Sequence, residues 1–438
     1  MAGARAYSLE RWGEAALGKS FESALLPVRW LVASPPALFL LALAAMLLRH
    51  PDVQFYEIDR VAFALLVLGV LGRAAISGRS CWVAQRASWP MLGLTALGVA
   101  SVARQPFEIE PWSLLAAKFI VPFSLFHLAQ LTFNDEASVR KFEVFALVVL
   151  AYLSFTSIAF MVGAKSLIWP RFILDESLGY HVDRARGPLL QAVANGVSLN
   201  LLALLAFHAC QRGRLRGIRA WMLLGSVPLA IVATMTRAVW LSFAGTAAIL
   251  LWRSSRGRLR SAMLALAFLG AGGLALSLLP GFRDALNDRL EERGPVDFRQ
   301  AVYEGSWQMF LERPLTGWGV NQMPEQLARH VSGYREAVLY PHNTYLELLV
   351  EHGIVGLSLY IWLMWELLRL GRRAAEREGE HIFNADFHQL WPLLLAVYWV
   401  NAAVVVMNYQ FVNGLIFTLA GMLAAHGRGT GRRATLPC

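Results

Sequence analysis

The strongest constraint on this chain is a recurrence. Apolar runs of about 20 residues return along its length, each long enough to cross a hydrocarbon core of about 30 Å as a helix. Composition agrees: of 438 residues 56% are hydrophobic and only 16% charged, where a soluble chain of this length would carry more charge. The runs predict about twelve spans, at 28–48, 61–76, 89–103, 113–131, 144–163, 189–210, 220–235, 238–252, 262–280, 343–370, 389–407 and 410–426. The third has little apolar bulk, and the seventh and eighth are divided only by "TMTRAV". No short signal peptide with a small-residue cleavage site precedes the first run, which is therefore expected to stay in the protein. The expected fold is an all-α polytopic membrane protein.

Basic residues orient it. With both ends in the cytoplasm, the inner connectors read "GRAAISGRSCWVAQR", "QRGRLRGIRA", "WRSSRGRLRS" and "RLGRRAAEREGE", followed by the tail "HGRGTGRR". The outer connectors "HPDVQFYEIDR", "RQPFEIEPW" and "NYQFVN" are acidic or nearly neutral, as the positive-inside rule requires. This gives a cytoplasmic segment 1–27, helices 1–9 over 28–280, an outer loop 281–341, helices 10–12 over 342–426 and a cytoplasmic tail 427–438. The net charge of +10 is scattered over many connectors, so it asks for no nucleic acid. Cys81, Cys210 and Cys438 all fall on the cytoplasmic side and are expected as free thiols. No CxxC pair or His/Cys cluster suggests a metal site, and no cofactor is implied.

Two outer segments are long, 164–188 and 281–341. They hold Arg171, Arg184, Arg186, Arg283, Arg289, Arg293, Arg299, Arg313, Arg329 and Arg335, which are a solvated surface or an anion site. Within the longer one, "DFRQAVYEGSWQMFLERPLTGWG" predicts an amphipathic helix. Asp297 is its cap, Val302, Trp307, Met309 and Phe310 form its apolar face, and Pro314 and "TGWG" end it.

Polar residues also cluster in "LYPHNTYLELLVEHGIVGLSLYIWL", at 339–363. Pro341 holds Tyr340 extended, so a helix is expected to begin after it. Thr344 followed by Glu347 fits a capping box and puts His342 just outside the helix N-terminus, where unpaired N–H groups favour an anion. Gly353, Gly356 and Ser358 read as a small-residue strip admitting another helix. Arg237, in "TRAVWL", falls between two apolar spans at the outer end, a costly place unless it is paired, snorkelling or functional. Lys118, Glu351 and His352 are expected to be buried, the last two in structural pairing. His342 with Arg186, Arg237 and Arg299 would make an outward cavity of one imidazole and several guanidiniums, groups that match phosphate oxygens. Interfacial histidine, packing glycines and snorkelling arginines are the plainer alternative.

These residues resemble the bacterial O-antigen ligases. "HNTYLELLVEHGIVG" is similar to that family's histidine–glycine motif, carried here by His342, Asn343, Gly353 and Gly356, and "RAVWL" to its arginine–leucine motif. "FRQAVYEGSWQMFLERPLTGWGV" looks like the segment preceding the histidine. The resemblance spans about 237–363. It implies a GT-C-like membrane glycosyltransferase with a long, partly helical periplasmic loop between helices 9 and 10. Such an enzyme moves O-antigen polysaccharide from undecaprenyl pyrophosphate to lipid A–core on the periplasmic face of the inner membrane. It further implies His342 as general base, with Arg237 and Arg299 on the pyrophosphate; Arg186 joins them on topology alone. The absence of an Asp-x-Asp pair in the outer connectors agrees with a metal-independent, inverting transfer. An O-antigen polymerase and an O-linked protein glycosyltransferase share the resemblance. Asp52, Glu57 or Asp59 acting as base, and a polysaccharide-lipid transporter, are the remaining alternatives.

Overall fold

The computed structural model describes residues 34–50, 57–78, 80, 83–179, 182–253, 294–331, 340–375 and 383–426, and no strand occurs among them. The helices are α1 (Pro35–Leu47), α2 (Glu57–Ile76), α3 (Ser88–Val102), α4 (Ile109–Thr132) and α5 (Glu136–Met161). They continue with α6 (Ala192–Gln211), α7 (Gly217–Ala233), α8 (Arg237–Arg253), α9 (Gly294–Glu312) and α10 (Met323–His330). The last three are α11 (Thr344–Ala375), α12 (Ala385–Ala402) and α13 (Gln410–His426). By length and apolar composition α4, α5, α6 and the 344–372 part of α11 can cross a membrane; α1, α3, α7, α8 and α13 are shorter apolar helices. The ninth expected span, the segments 1–27 and 427–438, Cys81, Cys438, Asp52, Arg283, Arg289 and Arg335 lie outside the described residues.

Local signals explain several boundaries. Asp135 caps α5 by accepting from the Ser138 amide at 2.8 Å, and Asn384 caps α12 through the Phe387 amide at 3.1 Å. Helix α12 ends at Ala402, short of the expected 407, because its following turn is captured by α11. Thr344 Oγ1 donates to the Val405 carbonyl and accepts from the Met407 amide, each at 2.9 Å.

Helices α6, α12 and α13 form the interior. Trp391 of α12 is fully buried and donates to the Leu367 carbonyl at 2.8 Å, and α13 lies on α4 so closely that a Cβ at Gly421 would overlap the Phe126 carbonyl. Outer helices instead leave large apolar side chains bare, among them Leu68, Val148, Leu241 and Trp252. Such extensive apolar surface on the outer helices is what a hydrocarbon solvent requires, and α6 and α13, enclosed by the others, are apolar on all faces.

The connectors meet in two groups. At one end His50 packs edge-on against Phe172 with ring centroids 4.8 Å apart, Ala185 N–H donates to the Ala233 carbonyl, and Gln105 donates to the Val320 carbonyl. At the other, Arg214 pairs with Glu136 at 2.9 Å, His208 bonds Asn384 at 3.0 Å, and Arg253 reaches the Gln389 carbonyl at 2.8 Å. The second group carries the basic connectors, and the first carries the long ones.

Helices α9 and α10 form a small unit on the first end. Val302, Met309, Met323, Leu327 and Val331 bury their side chains there together with Val350 of α11. Trp318 completes the unit by donating to the Met309 carbonyl at 2.8 Å, with Arg313 stacked 4.2 Å over its ring.

Candidate functional site at the mouth of helix α11

His342 is exposed and occupies the left-handed backbone region, with φ of 47°. A non-glycine residue held there costs about 1–3 kcal/mol, so its neighbours must over-determine it. They do. Pro341 is buried on one side. On the other, Asn343 is the helix cap, its Oδ1 accepting from the Tyr345 and Leu346 amides at 3.0 and 3.1 Å. Thr344 is tied to the α12–α13 turn as described, and Tyr345 donates to the Trp399 carbonyl at 2.9 Å. Both expected roles in the capping box therefore move: Asn343 caps, Thr344 anchors, and Glu347 turns inward.

Arg299 lies on the exposed side of α9 within electrostatic range of this imidazole. Although His342 presents surface to solvent, the protein crowding its ring lowers its pKa below the usual value, and the Arg299 charge lowers it further. A neutral imidazole with a free lone pair at neutral pH is a proton acceptor. Arg299 also borders a shallow, open depression of about 600 Å³ on one face of α9, lined by Gln300, Tyr303, Glu304 and Trp307.

The other two candidate arginines sit differently. Arg237 opens α8 and is exposed, next to the 234–236 turn that meets the Ala185 segment. Arg186 is only 1% exposed, and its guanidinium donates to the carbonyls of Ile173, Leu178 and Asp175. Those donors hold the 173–186 loop together, so the Arg186 guanidinium, expected at a pyrophosphate, is engaged with backbone carbonyls here.

Gly353 does not pack against another helix. It breaks α11 with φ 63° and ψ −165°, a region essentially reserved for glycine. The segment 314–319 enters the break. Trp318 and Gly319 amides donate to the Val350 and Glu351 carbonyls at 2.8 and 2.9 Å, and the Ile354 and Val355 amides donate to the Pro314 and Leu315 carbonyls at 2.8 and 3.4 Å. The Val350 and Glu351 carbonyls and the Ile354 and Val355 amides thus find partners in the inserted segment, as irregular backbone in an apolar surrounding requires. A Cβ at Gly353 would overlap the Leu315 carbonyl, and one at Gly317 the Val350 carbonyl. Gly356 lies against His352, Ser358 is exposed, and the close approach of another helix occurs instead at Gly93 of α3, where an added Cβ would stand 3.0 Å from Leu359.

The same segment is held from α3 and α4. Ser101 Oγ accepts from the Val320 amide at 2.9 Å, and Gln105 bonds both the Val320 carbonyl and Gln322. Lys118, on the π-helical turn 116–120, donates to Glu347 at 2.8 Å and Glu351 at 2.9 Å, while Glu351 also accepts from the Asn321 amide at 3.0 Å. Glu351 therefore pairs with Lys118 and not with His352, whose Nε2 is buried beside Phe119 without a hydrogen-bond partner among the described residues. Sequence reasoning missed the Lys118–Glu347 pair; two acids four residues apart on one helix face, with a lone lysine in another apolar run, were its signal.

Residues 220–361, from α7 to the middle of α11, match the family model described as O-antigen ligase, and the matched stretch contains Arg237, Arg299, His342, Asn343, Gly353 and Gly356. No curated protein matches the chain.

Proposed function

With the O-antigen ligase family as premise for residues 220–361, we propose that this membrane protein transfers O-antigen polysaccharide from undecaprenyl pyrophosphate to a sugar hydroxyl of lipid A–core. In this reading the chain lies in the bacterial inner membrane as a GT-C-like bundle of about twelve spans, with both termini cytoplasmic and the α9–α11 mouth in the periplasm. The observation that carries it is His342, exposed, backbone-constrained and pushed toward its neutral form beside the Arg299 charge.

The acceptor hydroxyl gives its proton to the His342 imidazole as its oxygen attacks the anomeric carbon. The bond from that carbon to the pyrophosphate oxygen breaks, and the lipid pyrophosphate leaves with the electron pair. Arg299 and Arg237 stabilise the charge it gains, and Arg186 shapes the wall behind them. Attack opposite the leaving group inverts the anomeric centre.

The test is transfer by purified protein supplied with lipid-linked polysaccharide and lipid A–core. Coupling to lipid A–core that disappears in His342→Ala supports the reading. Extension of the donor alone identifies a polymerase, and transfer only to a pilin-like protein identifies a protein glycosyltransferase.

A further inference from the structure

At the end of the bundle that carries the basic connectors, a cationic patch joins the start of α5 to the α6–α7 connector. Six cations and three acids lie there, over 135–143 and 212–219. All three acids are engaged. Asp135 caps α5, Glu136 stands 2.9 Å from Arg214, and Glu143 stands 3.8 Å from Arg212. The two ion pairs hold the connector against the first turns of α5. Four cations are left over: Arg140 and Lys141 on α5, and Arg216 and Arg219 at the start of α7. All four are exposed, and among the described residues none is in a salt bridge; Arg140 adds only a longer-range attraction to Glu143.

These cations stand at the head of two apolar stripes. Arg140, Val144 and Val148 follow one another at four-residue spacing and share one face of α5, where both valines are bare. On α7 the first turns after Arg216 leave Ile218, Trp221 and Met222 bare. Helices α5 and α7 pack against each other, so both stripes rise from one charged end. A polyanion such as nucleic acid or an acidic protein would meet the cations and leave the stripes uncovered. Plain hydrocarbon would cover the stripes and leave the charge unmet. A lipid with an anionic head meets both, because arginine and lysine stems lie along apolar surface while their heads stay at the level of a phosphate.

We propose that this patch is a binding site for an anionic phospholipid of the leaflet at the basic end. Its phosphate is held by Arg140, Lys141, Arg216 and Arg219, and its acyl chains lie on the α5 and α7 stripes. The site is remote from His342, and the proposal stands independently of the transfer reading.

The experiment uses the full chain purified in a neutral detergent. Native mass spectrometry measures retention of phosphatidylglycerol and of phosphatidylcholine with the same acyl chains. Wild type is expected to retain phosphatidylglycerol at least tenfold more strongly, by a margin that shrinks as the ammonium acetate concentration rises. The variant Arg140→Gln/Lys141→Gln/Arg216→Gln/Arg219→Gln is expected to lose that preference with its phosphatidylcholine retention unchanged. Arg73→Gln/Arg86→Gln removes two exposed cations from the α2–α3 connector and is expected to keep the preference. Thermal midpoints are the folding control, and Arg216→Gln/Arg219→Gln, with a severalfold loss expected, decides the matter should the fourfold variant not fold. Equal retention of the two lipids by wild type overturns the proposal, since the stripes would then be plain hydrocarbon contact. So does a preference that survives in the folded variant. An equal loss in Arg73→Gln/Arg86→Gln overturns it too, because the attraction would then belong to the whole basic end and to no site.

Discussion

Helix α11 carries two polar regions a few residues apart, and they are built to opposite specifications. At its mouth His342 is exposed, held in a left-handed conformation and beside a cation. About one and a half and two and a half turns further in, Glu347 and Glu351 are buried, and each is bonded to Lys118. Among the described residues the mouth has a solvent-reachable imidazole with no hydrogen-bond partner, whereas the middle has two carboxylates sharing one lysine and a histidine, His352, sealed away beside Phe119. Ionisable residues near a membrane therefore divide by accessibility as well as by bonding, and only the first kind is open to a substrate.

The largest expected effect breaks the comparison at the mouth. His342→Ala is expected to lower transfer by about 10²–10⁴-fold, the usual contribution of a general base, while leaving the thermal midpoint near that of wild type because the side chain is exposed. Retained turnover would show that the imidazole is a surface feature and that another group takes the proton.

The middle should fail in the other way. Lys118→Met leaves two buried carboxylates facing each other without their cation, and breaking such a pair costs about 3–5 kcal/mol. The expected result is a large drop in denaturation midpoint or in recovered folded protein. The triple change Lys118→Met/Glu347→Gln/Glu351→Gln should restore much of it, since no buried charge is then left alone. Stability unchanged by Lys118→Met would mean that water or another cation reaches the acids.

Gly353 joins the two regions, because the segment entering its break begins just after α9, which bears Arg299, and ends at Asn321 on Glu351. Gly353→Ala places a Cβ in a backbone region costing about 1–3 kcal/mol and against the Leu315 carbonyl. It should loosen the α9–α10 unit more than the membrane bundle, read as faster hydrogen exchange in 314–322 than in α6. Uniform protection in both would show that the break merely decorates the helix.

What the chain's residues disclosed follows the same division. Apolar runs, caps and the histidine–glycine stretch are local signals, and the described apolar helices overlap the expected runs, although α5 begins at Glu136 against the expected 144, α11 continues to Ala375 and α12 ends at Ala402. The partners of each polar group are not local. Asn343 and Thr344 are both good caps by type, and only the α12–α13 turn, some sixty residues on, assigns Thr344 to anchoring. Arg186 and Arg299 are both loop arginines by sequence. Three carbonyls of a folded loop occupy one of them, while the charge of the other bears on the imidazole. Gly353 and Gly356 look alike in a motif, yet only a tertiary insertion distinguishes a helix break from a close contact.

The subtlest expectation concerns the charge beside the base. His342 acts as a base only when neutral, so the acidic limb of the transfer rate against pH follows its pKa in the free enzyme. Arg299 contributes to holding that pKa down, after the crowding of the ring. Arg299→Gln removes the positive field, so the imidazole keeps its proton to higher pH and the acidic limb should move upward. Part of the depression survives, because the crowding is untouched. The same substitution also removes a candidate pyrophosphate contact, which lowers the plateau, so the limb position and not the rate at one pH is the measurement. Raising ionic strength should move the wild-type limb the same way and the variant's less, since an exposed guanidinium is screened over about 8–10 Å at 0.1–0.15 M salt. A limb that stays in place in the variant would mean that Arg299 and His342 serve separate ends.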